Sequence, residues 1–190
     1  PSILLSLEPN SLEKAINEKL LNEEQKNRIT IEIVLGMRYI HRHNFMHRDL
    51  KPLNILLSKN FHVRISDFGL AKEEDITVSQ SKGVGTMRFM APELFEEGDD
   101  GDGINYTNKV DVYSFGITLI FIVSEKYPKF SLKKASTGIL PSMPDSITPW
   151  VNELIVKCLS PDPDERPSFE EIFEILKSNN YDLFNEKSSK

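Results

Sequence analysis

Apolar positions along this chain recur at two spacings, and the elements change where the spacing changes. Ile3-Leu4-Leu5 is a short continuous apolar run of the kind that ends a buried strand, and Pro9 stops it. Asn10 followed three residues on by Glu13 has the form of a capping box, which predicts a helix from Ser11 to about Lys19. Asn22 and Gln25 offer a second box. Beyond them Ile29, Ile33, Met37 and Ile40 return at three- and four-residue spacing, so one apolar stripe runs along a helix ending near His43.

From Asn44 the chain becomes polar around Pro52, which has no place in a helix interior, so a loop is predicted there. Two β-type runs follow, Ile55 to Leu57 and His62 to Ile65, and Ser58-Lys59-Asn60 between them suits a hairpin. Lys109 to Ser124 is apolar nearly all round, the pattern of a helix at the centre of a domain with others packed about it. Further helices are predicted from Thr148 to Leu159 and, after the Pro161 and Pro163 break, from a Ser168 cap with Glu171 in the box position to about Lys177. The polar residues from Ser178 on are expected to fray. The fold class is therefore mainly α with a small β hairpin (α+β).

Composition narrows the class without changing the pattern. The chain has 190 residues, 39% of them hydrophobic and 27% charged, which is a globular composition and excludes collagen-like, disordered and disulfide-scaffold chains. With 23 basic against 29 acidic residues the net charge is -6, so neither nucleic acid nor an anionic membrane is an expected partner. The single Cys158 permits no intrachain disulfide, fits a reducing, cytoplasmic compartment, and reads as a small buried side chain. The longest apolar stretch, Phe115 to Val123, is well short of the ~20 residues that span a bilayer. The chain opens on Pro1-Ser2-Ile3 with neither an initiator Met nor a signal-type segment, and is expected to be an excerpt. Glu96 to Gly103 (EEGDDGDG) reads as a flexible acidic insertion, and its spacing does not match a calcium loop.

The chemistry-bearing residues sit in the polar loops. His47-Arg48-Asp49-Leu50-Lys51-Pro52-Leu53-Asn54 fits the pattern H-R-D-L-x-x-x-N; Asp67-Phe68-Gly69 follows after the hairpin, and Ala91-Pro92-Glu93 after a further polar stretch. Each triplet alone is weak, and all three in this order are specific. The sequence resembles the protein kinase family. Lys51, two residues after the Asp, and Thr86 in GTMRFMAPE resemble the serine/threonine kinases. The short Ser11 helix, the VYSFG run and CLSPDPDERPSF resemble the tyrosine-kinase-like group among them.

The resemblance implies a protein-kinase-like fold of which only the helical C-terminal lobe is present, residues 9–178. Residues 1–8 would be the last strand of the smaller lobe and the hinge, 47–54 the catalytic loop, 67–93 the activation segment and 179–190 a polar tail. It implies ATP and Mg²⁺ as cofactors and a protein as substrate. Asp49 would orient and finally deprotonate the substrate hydroxyl, Lys51 would stand near the transferring phosphate, and Thr86 would hydrogen-bond Asp49 and Lys51, unless Thr86 is only a turn hydroxyl. Asn54 and Asp67 supply the hard oxygens that Mg²⁺ prefers. Ser6, Leu7 and Glu8 would cover the hinge that meets adenine, and Leu56 would form the floor of its pocket.

Other positions are expected to hold the site together. Glu93 would pair with Arg166, and Asp111 would anchor the backbone around His47, the alternative being a first-turn carboxylate that complements the helix dipole. His47 and Phe68, next to Gly69, would pack in a hydrophobic spine. His41, His43 and His62 show no partner pattern and read as surface histidines. Arg48 would meet a phosphate on Thr77, Ser79 or Ser81, the alternative for each being an ordinary loop hydroxyl. No glycine-rich phosphate loop and no lysine strand are present in these residues. Two functions follow: a serine/threonine kinase domain with little turnover by itself, or a kinase-derived module that only binds protein.

Overall fold

The computed structural model describes residues 8–67, 88–95, 107–128, 143 and 146–184. Ser6, Leu7, Phe68, Gly69, Thr77, Ser79, Ser81 and Thr86 lie outside the described residues, as does the acidic insertion. Strand β1 (Asn10–Ser11) leads into α1 (Leu12–Asn17), followed by α2 (Glu23–Arg42), β2 (Ile55–Leu57), β3 (Val63–Ile65), α3 (Lys109–Ser124), α4 (Pro149–Cys158) and α5 (Phe169–Ser178), with 3-10 turns at Pro52–Asn54, Pro92–Phe95 and Pro163–Glu165.

The three strands form one antiparallel sheet in the order β1-β2-β3. The hairpin is as the sequence predicts, with Ile55 opposite Ile65 and Leu57 opposite Val63. The third strand is an addition: Asn10 and Ser11 pair with Leu57 and Leu56. That pairing moves the helix cap by one residue. Ser11, extended in the sheet, is the N-cap and accepts from Lys14 N–H, so the box expected at Asn10 and Glu13 does not form and the helix ends at Asn17. The caps at Asn22–Gln25 and Ser168–Glu171 form in both directions, as their sequences predict.

Helix α3 is the axis of the core. All residues from Val110 to Val123 are buried, as its all-round apolarity requires. Gly116 lets α4 approach closely, since a Cβ there would stand 2.9 Å from both Cys158 Cβ and Leu159 Cδ2. Helix α2 lays its Ile29, Ile33 and Met37 stripe inward and packs on α5, where Arg38 and Arg42 both reach Glu170. At the other end of α2 the nearly buried Lys26 pairs at 2.6 Å with Glu125, the left-handed cap of α3.

The fraying expected from Ser178 does not occur as far as Phe184. Leu183 and Phe184 are buried, Phe184 bridges to Ile147, and Thr148 N–H donates to Leu183 O. Two adjacent apolar side chains are enough to fasten a segment whose other residues are polar. Among the described residues no helix is long and apolar enough to cross a membrane.

Candidate active site

The polar loop after α2 is held open by a buried carboxylate. Asp111, fully buried in the first turn of α3, accepts His47 N–H on Oδ2 at 2.8 Å and Arg48 N–H on Oδ1 at 2.7 Å. Two donors on the two oxygens are what a carboxylate needs inside a core. Arg48 takes a left-handed backbone with φ 63°, a conformation that non-glycine residues adopt only where the surroundings impose it. A third donor was not expected: His41 Nε2 lies 2.9 Å from Asp111 Oδ2, with its ring edge-on to Phe169. His41 is therefore a mostly enclosed partner of Asp111 rather than an unpartnered surface histidine. It continues the Ile33, Met37 spacing by another four residues, and that inward register was the available signal.

His43 and His62 also have partners. His43 Nδ1 meets Tyr39 O at 2.8 Å, and His62 Nδ1 meets Glu32, whose other oxygen accepts Val63 N–H. Glu32 thereby fastens the hairpin to α2, a contact between segments thirty residues apart that no local pattern shows.

His47 is buried, with both ring nitrogens engaged. Nδ1 accepts Asp49 N–H at 3.2 Å and Nε2 donates to Ser66 O at 2.9 Å, so the single ring proton sits on Nε2. The ring joins the loop to the residue before Asp67. Ser66 in turn donates its N–H and its hydroxyl to Asn54 O, both at 2.9 Å. Residues 47, 54 and 66 are thus joined by hydrogen bonds at the open end of the hairpin, where Asp67 has φ 65°.

Within this loop three side chains converge. Asp49 Oδ2 accepts from Lys51 Nζ at 2.7 Å and from Asn54 Nδ2 at 2.9 Å, and Asn54 Nδ2 also reaches Asp49 O at 2.8 Å. The Lys51 and Asp49 side chains are 13% and 9% exposed, so the pair is mostly desolvated yet reachable. With its amide nitrogen committed to Asp49, Asn54 turns Oδ1 away from that carboxylate. A carbonyl oxygen at 54 and a carboxylate at 67, linked through Ser66, fit the hard donor set of Mg²⁺. Among the described residues no group of three or more His, Cys, Asp or Glu is placed to hold a metal, so remaining ligands would come from water or phosphate.

The expected carboxylate-guanidinium pair is present and bidentate: Arg166 gives 2.6 Å and 2.8 Å contacts to the two oxygens of Glu93. Arg166 is 1% exposed and also donates Nε to Ser160 O at 2.8 Å. It ties the turn at Pro92–Phe95 to the loop before α5. Leu56 is half-buried on the face of the sheet opposite Ile55 and Leu57, and Glu8 pairs with Arg64.

The protein kinase domain family matches residues 3–176 of the chain. A probable serine/threonine-protein kinase of Dictyostelium discoideum is 38% identical over 166 residues, covering 85% of this chain and 16% of that protein. A second probable serine/threonine-protein kinase from the same organism is 36% identical over 155 residues, covering 78% of this chain and 11% of that protein. A serine/threonine-protein kinase of Arabidopsis thaliana is 34% identical over 157 residues, covering 79% of this chain and 26% of that protein. The chain thus spans a quarter or less of the length of most of these relatives. The chain belongs to the protein kinase family, on its serine/threonine side.

Proposed function

We propose that these residues are the helical lobe of a serine/threonine protein kinase domain, of the tyrosine-kinase-like group, that transfers the γ-phosphoryl group of ATP to a protein hydroxyl. The observation that carries this reading is the meeting of Lys51 Nζ and Asn54 Nδ2 on one oxygen of Asp49. A carboxylate gripped by two donors is fixed in direction. It can orient a substrate hydroxyl and take up its proton as the oxygen attacks, while Lys51 puts positive charge beside the phosphoryl oxygens. Asn54 and Asp67 would hold Mg²⁺, which when bound neutralises phosphate charge. His47 holds the loop and moves no proton, because both its nitrogens are already engaged.

Ser6, Leu7, Glu8 and Leu56 would border the adenine, Thr86 would brace Asp49 and Lys51, and Arg48 would receive a phosphate on Thr77, Ser79 or Ser81. The test is Asp49→Asn in the full-length protein with Mg-ATP and a generic protein substrate. The amide keeps the size of the side chain and loses the base, so phosphate transfer is abolished while the melting temperature stays near that of the parent. Undiminished transfer by this variant would overturn the reading.

A further inference from the structure

The outer face of the hairpin carries an ion pair that the catalytic cluster does not use. Ile55 and Leu57 face the core with Ile65 and Val63, so Leu56 and Arg64, directly opposite one another in the register, stand together on the other face. Arg64 Nε reaches Glu8 Oε1 at 2.6 Å. The two partners are unequally placed: the Arg64 side chain is 62% exposed, the Glu8 side chain 9%. The carboxylate is the desolvated member, and the guanidinium is a counter-charge brought to it from solvent.

The position matters because the hairpin is anchored at its other end in the candidate site. Strand β2 begins one residue after Asn54, and β3 ends two residues before Asp67. At about 3.3 Å per residue, the Leu56–Arg64 pair lies roughly 7 Å along the hairpin from Asn54, a distance shorter than an extended nucleoside triphosphate. The outer face therefore runs from the phosphate end of the site to Glu8, with Leu56 as its apolar floor and Arg64 at its far edge.

We propose that Arg64 is a positioning residue for the nucleotide, holding the Glu8 carboxylate against the hairpin and so fixing the chain around residue 8 over Leu56. This rests on the reading of Asn54 and Asp67 as the phosphate end. In the full-length protein, Arg64→Ala raises the Kd for a fluorescent ATP analogue and the KM for ATP together, by roughly three- to fivefold as for a partly exposed ion pair. The kcat and the KM for the protein substrate stay as they were. Arg64→Lys restores most of the affinity, and Arg64→Ala adds nothing further once Glu8→Gln is present. Unchanged nucleotide affinity in Arg64→Ala, in a protein that still phosphorylates substrate, overturns this inference alone. A joint fall of kcat and melting temperature would reduce Arg64 to structural support and overturn it as well. A wild-type protein that binds no ATP analogue overturns the reading of Asn54 and Asp67, and this inference with it.

Discussion

Asp111 and Arg48 are joined through the backbone: the carboxylate Oδ1 of the first accepts the N–H of the second at 2.7 Å, across 63 residues of sequence. The other oxygen takes His47 N–H and His41 Nε2, so one buried group sets the conformation of the loop that presents Asp49. Asp111→Ala leaves these donors buried without an acceptor, and the expected loss is about 2 to 4 kcal/mol of stability together with the activity of the full-length protein. Chemical denaturation with an activity assay checks both. His41→Leu, which removes one donor of the three, is expected to show a smaller loss of stability and to keep a measurable fraction of the activity.

Arg166 is the most deeply buried cation described, and Glu93 is its matched counter-charge. Removing one partner strands the other. Glu93→Ala is expected to destabilise by about 3 to 5 kcal/mol, whereas Glu93→Ala with Arg166→Met costs less than the sum of the two single changes. Arg166→Lys does not substitute, because an ammonium cannot span both Glu93 oxygens and also reach Ser160 O. Urea midpoints of the single and double variants measure the coupling, and additivity would contradict it.

Much of this architecture is legible in the residues because it depends on local period and on spacing. Lys109 to Ser124 declares its central position through all-round apolarity, and Asp49 and Asn54 stand at the spacing that lets one loop bring them together. What was not legible depends on pairing between distant segments. A strand of two residues, Asn10–Ser11, has no period to detect, and it became a strand because β2 offered an edge. Leu183 and Phe184 are only two apolar residues in a polar tail, and their burial is decided by the space beside Ile147 and Thr148. His41 could have been read from the α2 stripe. Its partner Asp111 could not have been read from that stripe.

The carboxyl of Glu171 is held below its ordinary range, chiefly because Ser168 donates its backbone N–H to it and then its hydroxyl, with Lys109 and Lys157 adding to the effect. A group depressed in the folded state gives stability that is fully present above its unfolded pKa and is lost as pH falls through the folded one. The wild-type melting temperature should therefore fall on acidification from about pH 4.5 downward, while that of Glu171→Gln is lower at neutral pH and changes less over the same window. Parallel curves for the two proteins from pH 7 to the acid limit would remove this role for Glu171.

Cys158 sits fully buried where α3 and α4 touch at Gly116, and burial pushes its thiol up to about 12, with Arg166 drawing it slightly back. Because the thiolate is the reactive form, a disulfide reagent at pH 8 should leave the folded protein unlabelled and react at once in denaturant. The raised value also fixes a sign. Above about pH 8.5 the unfolded thiol ionises while the folded one does not, so this group's contribution to stability declines as pH rises through that range toward 12. Labelling consequently reports opening of the α3–α4 contact. Gly116→Ala drives a methyl to within 2.9 Å of Cys158 Cβ and Leu159 Cδ2, which forces the helices apart at an expected cost of about 1 to 3 kcal/mol. In that variant Cys158 should label faster under native conditions by the factor corresponding to the lost stability. An unchanged labelling rate would mean that the two helices have room the close approach at Gly116 denies.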